Sequence, residues 1–251
     1  MKFSVIIPSY NQDKFIERTI NNLIQLKELS KANNFELEVI LFDNNSDASV
    51  QANLNKHKNV FDVLVIESDK GQYDAINKGI QKITGNYWTW LNTDDLIDVE
   101  GFLTIAKYLK ANADTDYIYG DMKIIDEDDK ILQLGTSGNF TLQSLVNTDA
   151  SISQPGSFFK TEFTNKIGEL SSYKFAFDYE YVLRILKNEG KVVKVNAYVA
   201  CFRYYTSSKS GIKTPVFLKE QLAISKMYGR KLFSRLTFML LLRITKRRIF
   251  N

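Results

Sequence analysis

Several residue types on which functional sites depend are scarce in this 251-residue chain. Cys201 is its one cysteine, so the chain cannot form an internal disulfide, and a reducing, cytosolic setting fits it best. His57 is its one histidine, which excludes a His-rich zinc site and makes any Ser-His-Asp triad depend on a single residue flanked by lysines. The three prolines mark no obvious linker, so the sequence predicts one domain.

Two phosphate-binding motifs and long apolar runs are also missing. No GxxxxGKS/T occurs, which excludes a P-loop enzyme, and no GxGxxG follows the first predicted strand, which argues against a dinucleotide-binding Rossmann site. The N-terminal apolar run is too short for a signal peptide. In the C-terminal segment the longest apolar run, residues 238–242, is far shorter than the roughly 20 residues that cross a bilayer.

The composition and the charge distribution describe a folded protein with two unlike parts. Hydrophobic residues make up 44% and charged residues 25% of the chain, which excludes wholesale disorder. The net charge of +4 is uneven, because the segment from Lys209 to the end has eleven Lys or Arg against one acid, Glu220. A mildly acidic body with a basic tail indicates that the tail contacts an anionic surface.

Apolar runs alternate with helical spacing in the first hundred residues. Residues 3–8, 36–42, 62–67 and 87–91 are predicted strands, and segments with an apolar stripe of helical period separate them. This alternation predicts a parallel sheet with right-handed crossovers, which binds its ligand outside the carboxyl ends of the strands. In the second half we predict a hairpin over 121–135, strands at PGSFFK and 191–200, and a helix over 178–187. The acidic cluster at 126–129 is interpreted as a solvated turn in preference to a metal site.

Polar residues follow each of the four predicted strands, at 9–11, 43–47, 69–74 and 92–95. In a parallel sheet these loops converge, and the repulsion among their carboxylates favours a divalent cation with hard oxygen ligands. Asp94 and Asp95 are the predicted metal anchor, with water and donor phosphates completing the shell, so the predicted ligand is a nucleotide diphosphate. The alternative for Asp95 is a helix N-cap. Asp43 ends its strand either as an acceptor for a nucleobase or ribose or as a turn-stabilising side chain.

The sequence resembles family 2 glycosyltransferases of the GT-A fold, particularly those that build bacterial surface polysaccharides. The resemblance lies in SVIIPSYN, EVILFDNNSDAS, ESDKGQYDAINKGI and TGNYWTWLNTDD, and then in SQPGSFFKTEFTNKIGEL and YKFAFDYEYVLRI. It covers about residues 2–190 in order. It implies an α/β fold with a central, mostly parallel sheet flanked by helices, and a hexosyltransferase activity.

The resemblance implies roles for the strand-end residues in binding the donor. Pro8, Ser9 and Tyr10 would line the nucleobase pocket, and Asp43 would bond the base. Lys70 would lie near the diphosphate.

Three more residues follow from the same resemblance. Asp74 and Asn77 would lie along the nucleotide and sugar edge. Gln154 would lie beside the acceptor, although a plain loop amide is at least as good an interpretation.

The resemblance also assigns Asp94 and Asp95 to the family's DxD-type element, which contacts ribose or sugar and a Mn²⁺ or Mg²⁺ ion. Here the motif is Asn92-Thr93-Asp94, which departs from a full DxD. The departure leaves open which aspartate is the principal metal ligand.

Asp178 matches the carboxylate that serves as the general base in inverting members. Inversion requires a base on the face of the sugar opposite the leaving group, and a residue far along the chain at a helix start can reach that face. Where the family often has Glu-Asp, this chain has Phe177-Asp178. A helix N-cap is the alternative role, and Glu180 is the fallback base.

We predict a GT-A catalytic domain over residues 1–208 and a basic amphipathic helical tail over 209–251. The nucleotide-sugar-binding half would span 1–121, and the acceptor and catalytic-base half 122–208. Residues 231–251 are predicted to contact an anionic membrane surface, with packing on the body or on a second subunit of a homodimer as the alternatives. Nucleic-acid binding is disfavoured, because the body is acidic and no recognised motif occurs.

The predicted function is a metal-dependent, inverting glycosyltransferase at the cytoplasmic side, peripheral on the inner face of the membrane. It would move a sugar from a nucleotide diphosphate, UDP being favoured by the family, to a glycan or lipid-linked acceptor in surface polysaccharide synthesis. One rival is a catalytically inactive nucleotide- or carbohydrate-binding protein of the same fold. A sugar nucleotidylyltransferase ranks last, because it requires a glycine-rich phosphate loop after the first strand.

Overall fold

The computed structural model describes residues 1–149, 151–152, 154–205 and 215–249, with side chains described up to residue 245. Residues 209–214 and 250–251 of the predicted tail, and residues 150 and 153 of the loop before the PGSFFK strand, lie outside the described residues. Within the described ranges the strands are β1 (Lys2–Ser9), β2 (Glu36–Asp43), β3 (Val63–Ile66), β4 (Tyr87–Trp90), β5 (Leu96–Ile97), β6 (Tyr117–Ile125), β7 (Ile131–Gly135), β8 (Ser157–Lys160) and β9 (Val192–Arg203). The helices are α1 (Ile16–Ala32), α2 (Ala48–Lys56), α3 (Gln72–Ile80), α4 (Val99–Ala111), α5 (Leu142–Asn147), α6 (Thr161–Ile167), α7 (Phe177–Lys187), α8 (Pro215–Met227) and α9 (Arg235–Ile249).

One mixed sheet carries the fold, in the order β3-β2-β1-β4-β8-β6-β9-β5, with β7 added to β6 as a hairpin. The four N-terminal strands are mutually parallel, as their alternation with helices predicts. β8 runs antiparallel between β4 and β6, and so joins the N-terminal strands to the rest of the sheet. The register of β1 with β2 ends on the pair Ser9 and Asp43, so two of the predicted polar strand ends lie side by side.

The core forms because successive side chains of the central strands point to opposite faces of the sheet. Phe3, Val5 and Ile7 of β1 face α1 and α4, whereas Ile6 faces α3 and α7. Each of these side chains is at most 1% exposed, and burial of one such side chain is worth about 1.5–3 kcal/mol. The sheet is therefore held between two helical layers, and its loops are left free to carry the site.

The C-terminal helices pack on the domain body. Leu218 and Ile224 of α8 and Leu236 and Leu240 of α9 are buried in the same hydrophobic cluster as Phe177 of α7. The opposite side of α9 stays exposed. Across the described part of the chain, no helix has both the length and the apolar character needed to cross a bilayer.

Candidate functional site

A cleft of about 470 Å³ opens at the carboxyl ends of the parallel strands. All four strand-end loops contribute to its wall, which confirms that they converge. The lining residues are Pro8, Ser9, Tyr10, Gln12, Asn44, Asp69, Gly71, Gln72, Asn92, Thr93, Asp94, Asp95, Phe202, Arg203 and Tyr205.

Asp43 lies behind this wall and holds the ends of β1 and β2 together. Its Oδ1 accepts hydrogen bonds from the Ser9 hydroxyl at 2.7 Å and the Ser46 hydroxyl at 2.6 Å. Its Oδ2 accepts from the Ser46 backbone N–H at 2.8 Å, and the side chain is buried. Asn44 lines the cleft in its place. The turn-stabilising role of Asp43 is thus observed, and its bond to a nucleobase stays a prediction.

The loop after β3 enters the cleft through a glycine. Gly71 has φ +125°, a conformation that a residue with a side chain adopts only under strain, and its N–H donates to Asp69 Oδ1 at 2.8 Å. The next residue, Gln72, donates from Nε2 to Asn92 Oδ1 at 2.6 Å. Asp69, Gly71 and Gln72 therefore form the cleft wall at this loop.

Three residues predicted for the same edge do not line the cleft. Lys70 is exposed, and its backbone N–H donates to Asp74 Oδ2 at 3.0 Å. The Asn77 side-chain amide pairs with the backbone of Leu170 in both directions, at 2.8 and 2.9 Å. Asn77 thus holds the chain after α6 against α3. Contacts of Lys70, Asp74 and Asn77 with the sugar donor stay predictions.

The two adjacent aspartates at the end of β4 have different surroundings. Asp95 is 1% exposed, and its carboxylate accepts from the Arg203 backbone N–H at 2.9 Å and from Asn92 Nδ2 at 3.0 Å. Burial and the neighbouring charge of Asp94 raise the pKa of Asp95 well above its usual value. The N-cap of α4 is Asp98, which accepts from the Gly101 N–H, so the proposed capping role of Asp95 is wrong.

Asp94 is the accessible carboxylate of the pair. Its Oδ2 accepts from the Tyr205 hydroxyl at 2.7 Å, and its side chain faces the cleft. In the described ranges no three His, Cys, Asp or Glu side chains group as a set of metal ligands. Asp94 nevertheless fits a Mg²⁺- or Mn²⁺-type ion, because such ions are often held by one or two carboxylates with water and phosphate oxygens.

Arg203 and Tyr205 close the cleft and were missed from the sequence. The Arg203 side chain is fully buried: Nε donates to the Asp94 carbonyl at 2.8 Å, and Nη2 pairs with Asp129 Oδ1 at 2.5 Å. Its guanidinium lies 4.5 Å from the ring centroid of Phe15, against which Tyr205 also packs. The predicted strand ended at residue 200, whereas β9 continues to Arg203. The sequence feature that could have identified these two residues is an arginine among the aromatic residues of CFRYY.

The ion pair between Arg203 and Asp129 changes the interpretation of the acidic turn between β6 and β7. Asp126 Oδ1 accepts from the N–H groups of Asp128 and Lys130, which confirms a turn. However, the turn is also tied to the cleft, because Arg203 donates to the Asp126 carbonyl at 2.6 Å and pairs with Asp129.

Asp178 lies at a second, smaller cavity of about 200 Å³. The N-cap of α7 is Ala176, so Asp178 belongs to the first helical turn and is not the cap. Burial raises the pKa of Asp178 to about 6, although the Tyr179 N–H donates to its Oδ1 at 2.6 Å. The other lining residues are Asp149, Ser151, Ile152, Tyr179, Phe217, Gln221, Leu236, Met239 and Arg243.

Two residues that are close in sequence to the lining of this cavity contact Trp90 of β4. The ring of Phe177 lies 6.0 Å from that of Trp90. Gln154 donates from Nε2 to the Trp90 carbonyl at 3.0 Å and accepts from the Ser157 hydroxyl at 2.9 Å. Both ends of its amide are thus engaged within the protein, and an acceptor contact by Gln154 stays a prediction.

Glu180 is not available as a base. Burial alone would raise its pKa, but hydrogen bonds from Arg184, Tyr228 and Ser171 outweigh burial and lower it. The Tyr228 hydroxyl donates at 2.5 Å and the Ser171 hydroxyl at 2.7 Å. Of the two acids in the first turn of α7, Asp178 is therefore the one with a pKa near neutrality.

Comparison with known proteins gives a consistent result. The model of the family described as Glycosyl transferase family 2 matches residues 4–168. A PGL/p-HBAD biosynthesis glycosyltransferase of Mycobacterium bovis is 23% identical over 235 residues, which are 92% of this chain and 87% of that protein. TarS of Staphylococcus aureus, a poly(ribitol-phosphate) beta-N-acetylglucosaminyltransferase, is 27% identical over 112 residues, 43% of this chain and 19% of TarS.

Solved structures show the same fold. The crystal structure of S. aureus TarS 1-349 in complex with UDP-GlcNAc superimposes with a TM-score of 0.71 at 18% identity, covering 99% of this chain and 73% of that one. The mannosyltransferase PcManGT from Pyrobaculum calidifontis, in complex with GDP-Man and Mn²⁺, gives a TM-score of 0.66 at 16% identity, over 96% and 68% of the two chains.

Proposed function

The chain belongs to glycosyl transferase family 2 and is a glycosyltransferase with a GT-A fold, and on this basis we propose its reaction. It moves a sugar from a UDP-sugar to a glycan or lipid-linked acceptor of surface polysaccharide synthesis, with inversion at the anomeric carbon. The observation that carries the proposal is the meeting of four strand-end loops around the accessible carboxylate of Asp94.

The donor lies in the cleft, with its base beside Pro8, Ser9 and Tyr10 and its diphosphate towards Asp94. UDP is preferred because the TarS structure with this fold holds UDP-GlcNAc. Asp43 supports the site from behind the wall by fixing the two strand ends that carry these residues.

A Mn²⁺ or Mg²⁺ ion bound to Asp94 would offset the negative charge that develops on the leaving diphosphate. Both oxygens of Asp95 already accept hydrogen bonds within the protein. Asp94 would therefore be the direct ligand of the metal ion. The PcManGT structure with Mn²⁺ supports a cation on this fold.

Asp178 is the general base. It removes the proton from the acceptor hydroxyl while that oxygen bonds the anomeric carbon, and the bond from this carbon to the diphosphate breaks with its electron pair. A pKa of about 6 suits this role, because the carboxylate is ionised at neutral pH yet more basic than an ordinary aspartate.

The exposed side of α9 supports a peripheral membrane contact. Phe238, Leu241 and Leu242 are 58%, 47% and 62% exposed, and they lie opposite the buried Leu236 and Leu240. Apolar side chains on a basic helix suit an anionic bilayer surface. In a flotation assay we expect the wild-type protein to be recovered with anionic liposomes, and the double variant F238S/L242S to remain in the liposome-free fraction. Equal recovery would contradict the contact, and concentration-dependent mass in light scattering would indicate a homodimer instead.

A thermal-shift panel of UDP-, GDP- and dTDP-sugars, each with and without Mn²⁺, tests the donor and the metal together. A ligand at 100 times its dissociation constant adds about 2.7 kcal/mol to the free energy of unfolding. We expect a Mn²⁺-dependent shift with a UDP-sugar that D94N loses. No shift with any nucleotide would overturn the proposal. If a nucleotide-sugar raises the Tm but is not slowly hydrolysed in the absence of an acceptor, the result would favour the catalytically inactive binding protein.

A further inference from the structure

The one acid of the C-terminal segment, Glu220 on α8, reaches the start of α7. Its Oε1 accepts from the Lys174 backbone N–H at 2.9 Å. Its Oε2 accepts from the N–H groups of Phe175 at 2.9 Å and Ala176 at 3.0 Å. A single carboxylate thus binds three consecutive backbone donors directly before the helix that carries Asp178.

Helix α7 has no capping side chain of its own. Its N-cap is Ala176, which has no side-chain oxygen to accept an unpaired N–H. Glu220, 44 residues further along the chain, accepts the N–H of this N-cap residue and of the two residues before it, and its negative charge also suits the positive end of the helix dipole. The cap comes from a different helix, so the position of α7 depends on that of α8.

Helix α8 is itself well anchored for this role. Leu218 and Ile224 are buried against the α7 side of the core, and the Tyr228 hydroxyl after α8 donates to Glu180 of α7 at 2.5 Å. Glu220 therefore projects from a fixed helix, and its three contacts with the chain before α7 are not a loose surface interaction.

Other charged groups also face Asp178. Asp149 and Arg243 of α9 line the same cavity. Tyr179 donates its N–H to Asp178, and Glu220 acts through its charge, which raises the pKa of Asp178. Glu220 is the one of these groups that both contacts the backbone before α7 and influences the Asp178 carboxylate.

We propose that Glu220 is a positioning residue, which by capping α7 from α8 holds the Asp178 carboxylate in place for proton transfer. The C-terminal helices are then part of the base site in addition to any membrane contact. The proposal rests on the proposed function, because the position of Asp178 matters for catalysis only if Asp178 receives the proton.

Two variants of the full chain separate charge from geometry. Glu220→Gln keeps the length of the side chain but removes its charge and turns an amide N–H₂ towards backbone donors. Glu220→Asp keeps the charge but is one methylene too short to reach all three N–H groups. Lys219→Ala is the matched control, because Lys219 is the exposed neighbour on the same helix.

Three measurements are made on each variant. The pKa of the Asp178 carboxyl is followed by ¹³C NMR, with Asp178→Asn for assignment. Amide hydrogen exchange is measured at residues 174–176. The kcat and KM for hydrolysis of UDP-GlcNAc with Mn²⁺ are measured without acceptor.

For Glu220→Gln we expect a lower pKa of Asp178 and faster exchange at residues 174–176. We also expect a kcat lower by about tenfold or more, with KM within about twofold, because small misplacements of a catalytic group are costly. For Glu220→Asp we expect the exchange and kcat effects with a smaller change in the pKa. Lys219→Ala should match wild type in all three.

Variants of Glu220 that match Lys219→Ala in the Asp178 titration and in exchange would overturn the proposal, whatever the activity. The proposed function fails by a different result: Asp178→Asn with wild-type turnover would remove the base. The titration and exchange measurements need no turnover, so they decide the role of Glu220 even for a chain that does not hydrolyse UDP-GlcNAc.

Discussion

Replacing Asp178 by asparagine should stabilise the fold at neutral pH while it abolishes sugar transfer. The wild-type side chain is half-buried and lines the cavity between α7, α8 and α9, where ionisation of its carboxyl is disfavoured. Asparagine has the same shape and keeps an oxygen that accepts the Tyr179 N–H. It never ionises, however, so it does not carry the cost of a buried charge, and it cannot take a proton from an acceptor.

The size of the effect follows from the two pKa values. Asp178 has a pKa of about 6 in the fold against an ordinary value of 3.8. At about 1.4 kcal/mol per pH unit, ionisation costs the native state roughly 3 kcal/mol at neutral pH. The sign follows because the folded state holds the proton more tightly, so wild-type stability falls as pH rises from 3.8 to about 6. The advantage of Asp178→Asn is therefore complete above about pH 6 and vanishes below the ordinary pKa.

Thermal unfolding at pH 8 and pH 5 measures this difference. In a chain of this length roughly 3 kcal/mol raises the Tm by about 6–12 °C at pH 8, and roughly half of the gain should remain at pH 5. Asp149→Asn, an exposed carboxyl at the same cavity, is the control and should change stability by less than about 0.5 kcal/mol. A Tm gain that is the same at both pH values, or normal turnover by Asp178→Asn, would refute the argument.

Three further substitutions test the donor cleft. Tyr205→Phe removes the hydroxyl that binds Asp94, so Mn²⁺ should bind up to about tenfold more tightly in calorimetry; unchanged affinity would mean that Asp94 is not the ligand. Arg203→Met removes the donors that bind the backbone carbonyls of Asp94 and Asp126, and should cost about 1–3 kcal/mol in urea unfolding; a loss below about 0.5 kcal/mol would contradict the structural role of these hydrogen bonds. Gly71→Ala forces a side chain into φ +125° and should cost about 1–3 kcal/mol, with weaker UDP binding; a neutral effect would show that the loop relaxes freely.

The parallel half of the fold could be predicted because its signals are local. Each of the first four strands is a short, mainly apolar segment, and each is followed by polar residues that the sheet brings to one edge. Asp94 was identified correctly as a cleft residue for this reason. Its identification required no knowledge of distant partners.

The orientation of single side chains was not predictable in the same way. Asn77 lies on the expected helix, but its side-chain amide is hydrogen-bonded to the backbone of Leu170, 93 residues further along the chain. Asp43 turns inward because Ser46 and Ser9 offer donors there. In each case the deciding partner is a hydrogen-bond group outside the local pattern.

The role of the tail was ambiguous from the sequence because one side of α9 packs on the domain body and the other side is exposed. Its polar residues form no tidy stripe, since Leu236 and Leu240 pack on the body while Phe238 and Leu242 remain exposed. An amphipathic pattern predicts one apolar face and cannot describe a helix with two. The capping contact of Glu220 was likewise invisible, because it depends on how α8 docks onto α7.

The bond from the Arg203 N–H to Asp95 has a consequence for synthesis of the chain on the ribosome. Asp95 emerges early, but its buried carboxylate gains this donor only after another 108 residues have been added. At about 5–20 residues per second the interval is on the order of 5–20 s. During that time the β4 end cannot reach its final geometry, and the donor cleft is still open where Arg203 and Tyr205 will close it. A nascent chain thus completes the cleft at the carboxyl ends of its parallel strands only after nearly all of the domain has been made.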